Sequence, residues 1–274
     1  MWTSPHPPIG TARCPTSSRL SPSSSACWLA DTTFRTRRSR QSCWRRSVKP
    51  PRGSRNLCSP PDRPGHLLAI EGLSGTGKTF LTTHAIARLG PRAPHVLDDF
   101  SQRLGRSDLG SRIITELAAS GDRFLRGGLP ASETLLLLAV QMHAYEVAQP
   151  HLHRGHDVLE GRSVHAVAVY QAVLRHPDDP NQALGHARML IELAAAWRPL
   201  PDRVLLITDD VPAALARVEA RDGRTHTREE LRLHHLADQL YTSFAAEDQA
   251  RFHILDRRTT QPARALDEVT RWCG

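Results

Sequence analysis

Lysine is nearly missing from this chain: Lys49 and Lys78 stand against 34 arginines. Residues 65–274 keep 23 arginines and Lys78 alone, so some local requirement excludes arginine at that one position. Cysteine is almost confined to the first 64 residues, where Cys14, Cys27, Cys43 and Cys58 form no CxxC pair; beyond them only Cys273 remains. That spacing excludes a zinc-knuckle pattern and, in the main body, an internal disulfide framework. The expectation is a reducing, cytoplasmic compartment. No run of about 18 apolar residues occurs, which excludes a membrane-spanning helix. No methionine falls between Met1 and Met142.

The overall balance, 36 basic against 28 acidic side chains, looks like a nucleic-acid signature until it is divided. Residues 1–64 hold 12 of the basic residues and only Asp31 and Asp62. The remaining 24 basic and 26 acidic groups nearly cancel, so no basic surface for nucleic acid is expected there. Rich in Ser, Pro, Arg and Cys and without periodicity, residues 1–64 are expected to be a disordered basic segment: an Arg-rich, acid-poor organellar transit peptide, a basic arm, or upstream sequence wrongly included in the reading frame. They lack the apolar core of a secretory signal.

From His66 onward short apolar runs alternate with helical patterns, the sign of a parallel sheet flanked by helices. Strands are expected at Leu67–Ile70, His95–Leu97, Val158–Leu159, Val204–Ile207 and Phe252–Leu255. Helices are expected at Lys78–Arg88, Leu109–Ala119, Ser132–Ala148, Val164–Leu174, Gln182–Ala196, Pro212–Ala220, Thr227–Phe244 and Pro262–Trp272. Residues 65–274 then make one α/β domain on a five-stranded parallel sheet.

The first strand runs into Gly72-Leu73-Ser74-Gly75-Thr76-Gly77-Lys78-Thr79 and then into a helix, the strand, loop and helix order of a P-loop. Its glycines let backbone amides turn towards phosphate at a helix N-terminus, Lys78 adds a compact charge, and the Thr79 hydroxyl can ligate Mg2+. A slim, rotatable ammonium fits such a loop where a planar guanidinium does not, which accounts for the one lysine in an arginine-biased chain. ATP with Mg2+ is therefore the expected ligand.

P-loops serve many chemistries, so the choice among them rests on the rest of the chain. Over roughly residues 66–272 the sequence resembles the thymidylate kinase family, which usually reads Ile-Glu-Gly-x-Asp-Gly-x-Gly-Lys-Thr where this chain has Ile70 to Thr79. The likeness continues through Leu109–Ile113, Glu133–Val147, Arg154–Leu159 leading to Arg162, Tyr170-Gln171, Val204–Pro212 and Leu231–Asp256. It implies a five-stranded P-loop fold with a flexible lid, a homodimer, and transfer of the ATP γ-phosphoryl to a nucleoside monophosphate. By position it implies that Arg162 grips the acceptor phosphate, that Tyr170 packs near the sugar, that Phe100 supports the base, and that Gln141 stands near the family's base-reading arginine. Arg217, Arg221, Arg224 and Arg228 straddle Asp222-Gly223 as the lid, with Arg221 and Arg224 the expected catalytic arginines. The partners implied are small nucleotides, with neither nucleic acid nor membrane.

The chain departs from the family pattern on the acceptor side. Ser74 and Gly161 stand where the family has aspartates, Ala166 and Val167 where polar residues are usual, and the Arg-Glu-Pro-Gly-Gly stretch is lost at Gln102–Arg106. Two alternatives stay open at this point: a kinase for a hydroxyl acceptor, with Glu160 as base, or an ATP-binding regulator without catalysis. His151, His153 and His156, and the adjacent His234 and His235, lack companion ligands at zinc spacing and are expected to be solvated.

Overall fold

A computed structural model describes residues 63–97 and 107–274 of the chain. The expectation for residues 1–64 thus falls almost wholly outside the described residues, as do Phe100 and Gln102–Arg106. Five strands, β1 (Leu67–Glu71), β2 (His95–Leu97), β3 (Val158–Glu160), β4 (Arg203–Thr208) and β5 (Phe252–Asp256), form one parallel sheet in the order β2-β3-β1-β4-β5. Between them lie α1 (Lys78–Leu89), α2 (Leu109–Ala118), α3 (Pro130–His153), α4 (Val164–Arg175), α5 (Pro180–Ala195), α6 (Val211–Asp222) and α7 (Arg228–Glu247), and α8 (Pro262–Cys273) follows β5.

All five residues of β1 are buried because it is central, with β3 on one side and β4 on the other. Period-2 alternation divides the strands' side chains between two layers. Leu68, Ile70, Leu205 and Ile207 pack with α1 and α8, through residues such as Leu81, Ala85 and Val269. Ala69, Val204 and Leu206 face the larger layer built by α2 to α5 and α7. Each fully buried Leu or Ile contributes roughly 1.5–3 kcal/mol relative to exposure, so this alternation fixes the register of the sheet.

The expected strands and helices recur with shifted ends. The largest shift is in α3, expected to stop at Ala148 before Gln149-Pro150, yet running to His153 with Pro150 inside. Proline removes one amide donor and disfavours helix before it. Burial of Leu152 beside Ala144 and Ala148, and the stacking of His151 on His95 at 3.7 Å, outweigh that cost. Among the described residues no helix is long and apolar enough to cross a membrane.

Candidate active site

The loop after β1 is shaped by glycines that nothing else could replace. Gly72 has φ +127°, and a Cβ there would stand 2.2 Å from the Ile207 carbonyl oxygen of β4; Gly75 has φ +81°, and its Cβ would stand 2.0 Å from the Ala214 carbonyl oxygen of α6. The loop therefore lies flush against β4 and α6. Leu73 is buried and the Thr76 hydroxyl donates to the Leu73 carbonyl at 3.0 Å, so these two side chains anchor the loop from within. Lys78 Nζ donates to the carbonyls of Gly72 (2.8 Å) and Leu73 (2.6 Å), which holds the ammonium over the loop. No side chain caps α1 at Gly77, and Thr79 is exposed on its first turn. Arg217 Nε donates to the Gly75 carbonyl at 2.8 Å while its other end pairs with Asp209.

A buried polar network lies behind the loop. Glu71 Oε1 accepts from the Ser163 amide and hydroxyl, both at 2.7 Å, and Tyr241 donates to Oε2 at 3.2 Å. Ser163 Oγ also meets His165 Nδ1 at 3.0 Å. Burial pushes the Glu71 carboxyl up to about 7, against the pull of the Ser163 hydrogen bonds and the charges of Lys78 and Arg162. Burial, reinforced by Arg251 and Arg198, holds His165 down to about 3, so its ring is neutral. Ser163 caps α4 directly after Arg162, so the network sets the Arg162 turn relative to the P-loop.

Beside the loop opens a cavity of about 340 Å³, bordered by Ser74, Arg162, Tyr170, Arg221, Phe124 and His234. Tyr170 is half-buried, with its hydroxyl turned inward and pushed up to about 12 by burial; it lies towards the Ser74 amide, yet no group meets it at hydrogen-bonding geometry. Burial, then the neighbouring His226, holds His234 down to about 4. Over the cavity the α6–α7 connection is pinned to the segment following α2. Arg123 donates to the Arg224 carbonyl (2.6 Å) and to His226 Nε2 (2.5 Å), and Arg126 pairs with Glu229 at 2.9 Å. Since Arg123 can only donate, His226 accepts at Nε2 and turns its Nδ1 hydrogen to Glu219 at 3.0 Å.

Comparison with known proteins reads this architecture. The family model for thymidylate kinase matches residues 70–267. The chain belongs to the thymidylate kinase family. It is 30% identical over 195 residues to the thymidylate kinase of Xanthomonas euvesicatoria pv. vesicatoria, covering 70% of this chain and 76% of that one. With the thymidylate kinase of Leifsonia xyli subsp. xyli it shares 31% over 217 residues, 77% and 93% of the two chains. Solved thymidylate kinases from Candida albicans and Ehrlichia chaffeensis share the fold, with TM-scores of 0.55 and 0.54 at 16% identity; each covers 76% of this chain, and 91% and 98% of theirs. This thymidylate kinase family member is an ATP-dependent phosphotransferase of the nucleoside monophosphate kinase class.

Of the residues expected at the site, Ser74, Arg162, Tyr170 and Arg221 line the cavity. Arg224 and Gln141 do not. Arg224 turns to Glu230 at 3.3 Å, because the capping box at Thr227 leaves that carboxylate at the start of α7. Gln141 is buried and donates to the Arg162 carbonyl at 3.2 Å, so it braces the turn instead of lining the cavity. Glu160 is not an available base: Arg198 grips it through two hydrogen bonds of 2.9 and 3.0 Å, with both side chains buried. His234 is buried against Phe124 and Tyr170, contrary to the expectation of a solvated ring. Among the described residues no cluster of three or more His, Cys, Asp or Glu could hold a metal. Sequence reasoning missed Arg123, His226 and His234. They meet only when α2's following turn, the α6–α7 connection and α7 converge, and no local pattern marks that.

Proposed function

We propose that the chain transfers the γ-phosphoryl group of Mg2+-bound ATP to the phosphate of a pyrimidine deoxynucleoside monophosphate held in the cavity, with thymidylate as the first acceptor to test. The observation that carries this reading is the meeting of the two sites at Ser74. A phosphate-binding loop with Lys78 opens onto a separate cavity of nucleotide size that has two arginines, Arg162 and Arg221, at the junction. The loop fits the donor: Gly72 and Gly75 let it pack directly on the backbone of β4 and α6, where a Cβ would collide with Ile207 or Ala214, and the uncapped start of α1 leaves amides to donate to phosphate.

In this reading Gly72, Gly75 and Gly77 give the loop its curve, and Leu73, Ser74 and Thr76 contribute backbone amides to the phosphates. Lys78 neutralises charge on the transferring group, and Thr79 is the residue that would hold Mg2+, which supplies charge neutralisation when bound. Arg162 grips the acceptor phosphate, Tyr170 packs on its sugar, and Arg221 approaches the phosphoryl from the lid. Phosphoryl transfer asks mainly for alignment of two polyanions and neutralisation of spreading charge, which such a junction supplies. An acceptor phosphate needs no base, consistent with the engagement of Glu160 by Arg198.

The same reading places the enzyme in the cytoplasm, with small nucleotides as partners. It also makes the enzyme a homodimer, supported by Met189, Leu193 and Trp197, exposed at four-residue spacing on α5 and just beyond it. Measured ADP release across nucleosides and nucleoside monophosphates tests the function. Release with monophosphates alone supports it; release only with an unphosphorylated acceptor, or ATP binding without turnover on any acceptor, overturns it.

A further inference from the structure

The loop joining β5 to α8 brings a positive charge to the P-loop that neither the motif nor the lid accounts for. The Arg257 amide donates to the Thr208 carbonyl at 2.9 Å, which fixes the end of β5 beside β4. From there its side chain reaches back over the phosphate loop: a Cβ placed on Gly77 would stand 3.0 Å from Arg257 Nη1. Gly77 immediately precedes Lys78, has φ +92° and caps α1, so the guanidinium sits at the N-terminus of the helix that would receive phosphate.

The charge of Arg257 is not spent within the protein. The adjacent carboxylate, Asp256, is taken by Arg258 through hydrogen bonds of 2.8 to 3.1 Å. Arg257 itself forms no ion pair among the described residues, and its Nε is buried without a hydrogen-bond partner. An uncompensated guanidinium with a buried, unpartnered Nε, held at the N-terminal end of α1, is costly unless an anion joins it. The other nearby cations are engaged: Lys78 with the loop's own carbonyls, and Arg217 with Asp209 and the Gly75 carbonyl.

We propose that Arg257 is a donor-site residue whose guanidinium binds the polyphosphate chain of ATP from the β5–α8 loop, supplementing Lys78. This rests on the reading of the P-loop as the donor site. A guanidinium suits this place although it does not suit position 78, because it approaches from outside the loop, where its planar fork has room to bridge two phosphate oxygens.

The test compares Arg257→Gln and Arg257→Lys with the unaltered chain, using calorimetric titration with ATP and with inorganic tripolyphosphate, alongside steady-state KM values. Arg257→Gln is expected to weaken both ligands about tenfold and raise the KM for ATP without changing the KM for the acceptor, and Arg257→Lys to recover part of the loss. Unchanged affinity for both ligands in Arg257→Gln overturns the proposal. So does weakened ATP binding with unchanged tripolyphosphate binding, since the residue would then read the nucleoside. If Arg257→Gln does not fold, Arg257→Lys decides: it retains the charge, so tripolyphosphate affinity lost completely in a folded Lys variant counts against the proposal. The donor-site reading fails separately, if the unaltered chain binds neither ligand or if Lys78→Ala leaves both affinities intact.

Discussion

At Lys78 the choice of one residue type is explained by shape: the ammonium fits between the Gly72 and Leu73 carbonyls at 2.8 and 2.6 Å. Lys78→Ala is expected to lower phosphoryl transfer by at least about 10²-fold, and Lys78→Arg to do nearly the same, because a planar fork cannot enter that space. Steady-state ADP release checks both, and full activity in Lys78→Arg would refute the steric account. Glu71 gives a prediction of the opposite kind, in which removing a charge helps. Its carboxyl is raised from 4.5 to about 7 by burial, so the folded state holds the proton more tightly than the unfolded state does. The stability this contributes is complete below pH 4.5 and is lost as pH rises towards 7. Glu71→Gln keeps an acceptor for the Ser163 hydrogen bonds. It should match the parent near pH 4.5 and exceed it at pH 8 by on the order of 3 kcal/mol in urea unfolding.

Between elements, the Glu160–Arg198 pair joins the end of β3 to the residues after α5 and borders α3 through the Gln141 carbonyl, at 3.1 Å from Arg198 Nη1. Breaking a buried pair leaves one charge uncompensated, so Arg198→Ala should cost about 3–5 kcal/mol, while the double change Glu160→Leu with Arg198→Met should recover most of it. A single variant as stable as the parent in chemical denaturation would show that the pair is not desolvated as the structure places it. In the lid, Arg221 lines the cavity and Arg224 turns to Glu230. Arg221→Ala is therefore expected to lower kcat at least about tenfold, whereas Arg224→Ala should stay within about threefold. Equal losses in the two variants would show that the lid presents both arginines during turnover.

Over the whole molecule, buried titrating groups set a stability optimum. His165 and His234 are held down to about 3 and 4, so the folded state takes up fewer protons there than the unfolded state below pH 6.5, and stability falls as pH falls. Glu71 works the other way between pH 4.5 and about 7. From pH 6.5 to 4.5 unfolding then takes up two protons on histidine and gives up one from glutamate, a loss of roughly 1.4 kcal/mol per pH unit, with an optimum near pH 6.5. Chemical denaturation across pH measures the slope, which should double in Glu71→Gln; an unchanged slope would mean that Glu71 does not titrate in this range. Residues 65–274 are expected to carry the whole activity, which a chain truncated before residue 65 tests by its kcat and KM.

The amino-acid order alone determined the sheet, the P-loop and the single lysine in it, because strand alternation, helix periodicity and a glycine-rich turn are short-range patterns recorded in neighbouring residues. It also carried the family likeness through Arg162 and Tyr170, since those positions follow β3 at fixed spacing. Only the tertiary structure decided which charges face the cavity. Arg221 and Arg224 lie three residues apart and read alike in sequence, yet one reaches the site and the other is drawn to Glu230 by the cap of α7. Glu160 looked like a free carboxylate until Arg198, 38 residues away, closed on it. Arg257 and Gly77 are brought together only because β5 pairs with β4, and β4 lies against the loop that follows β1. Such pairings depend on which strand lies beside which, and that is fixed by burial across the whole sheet.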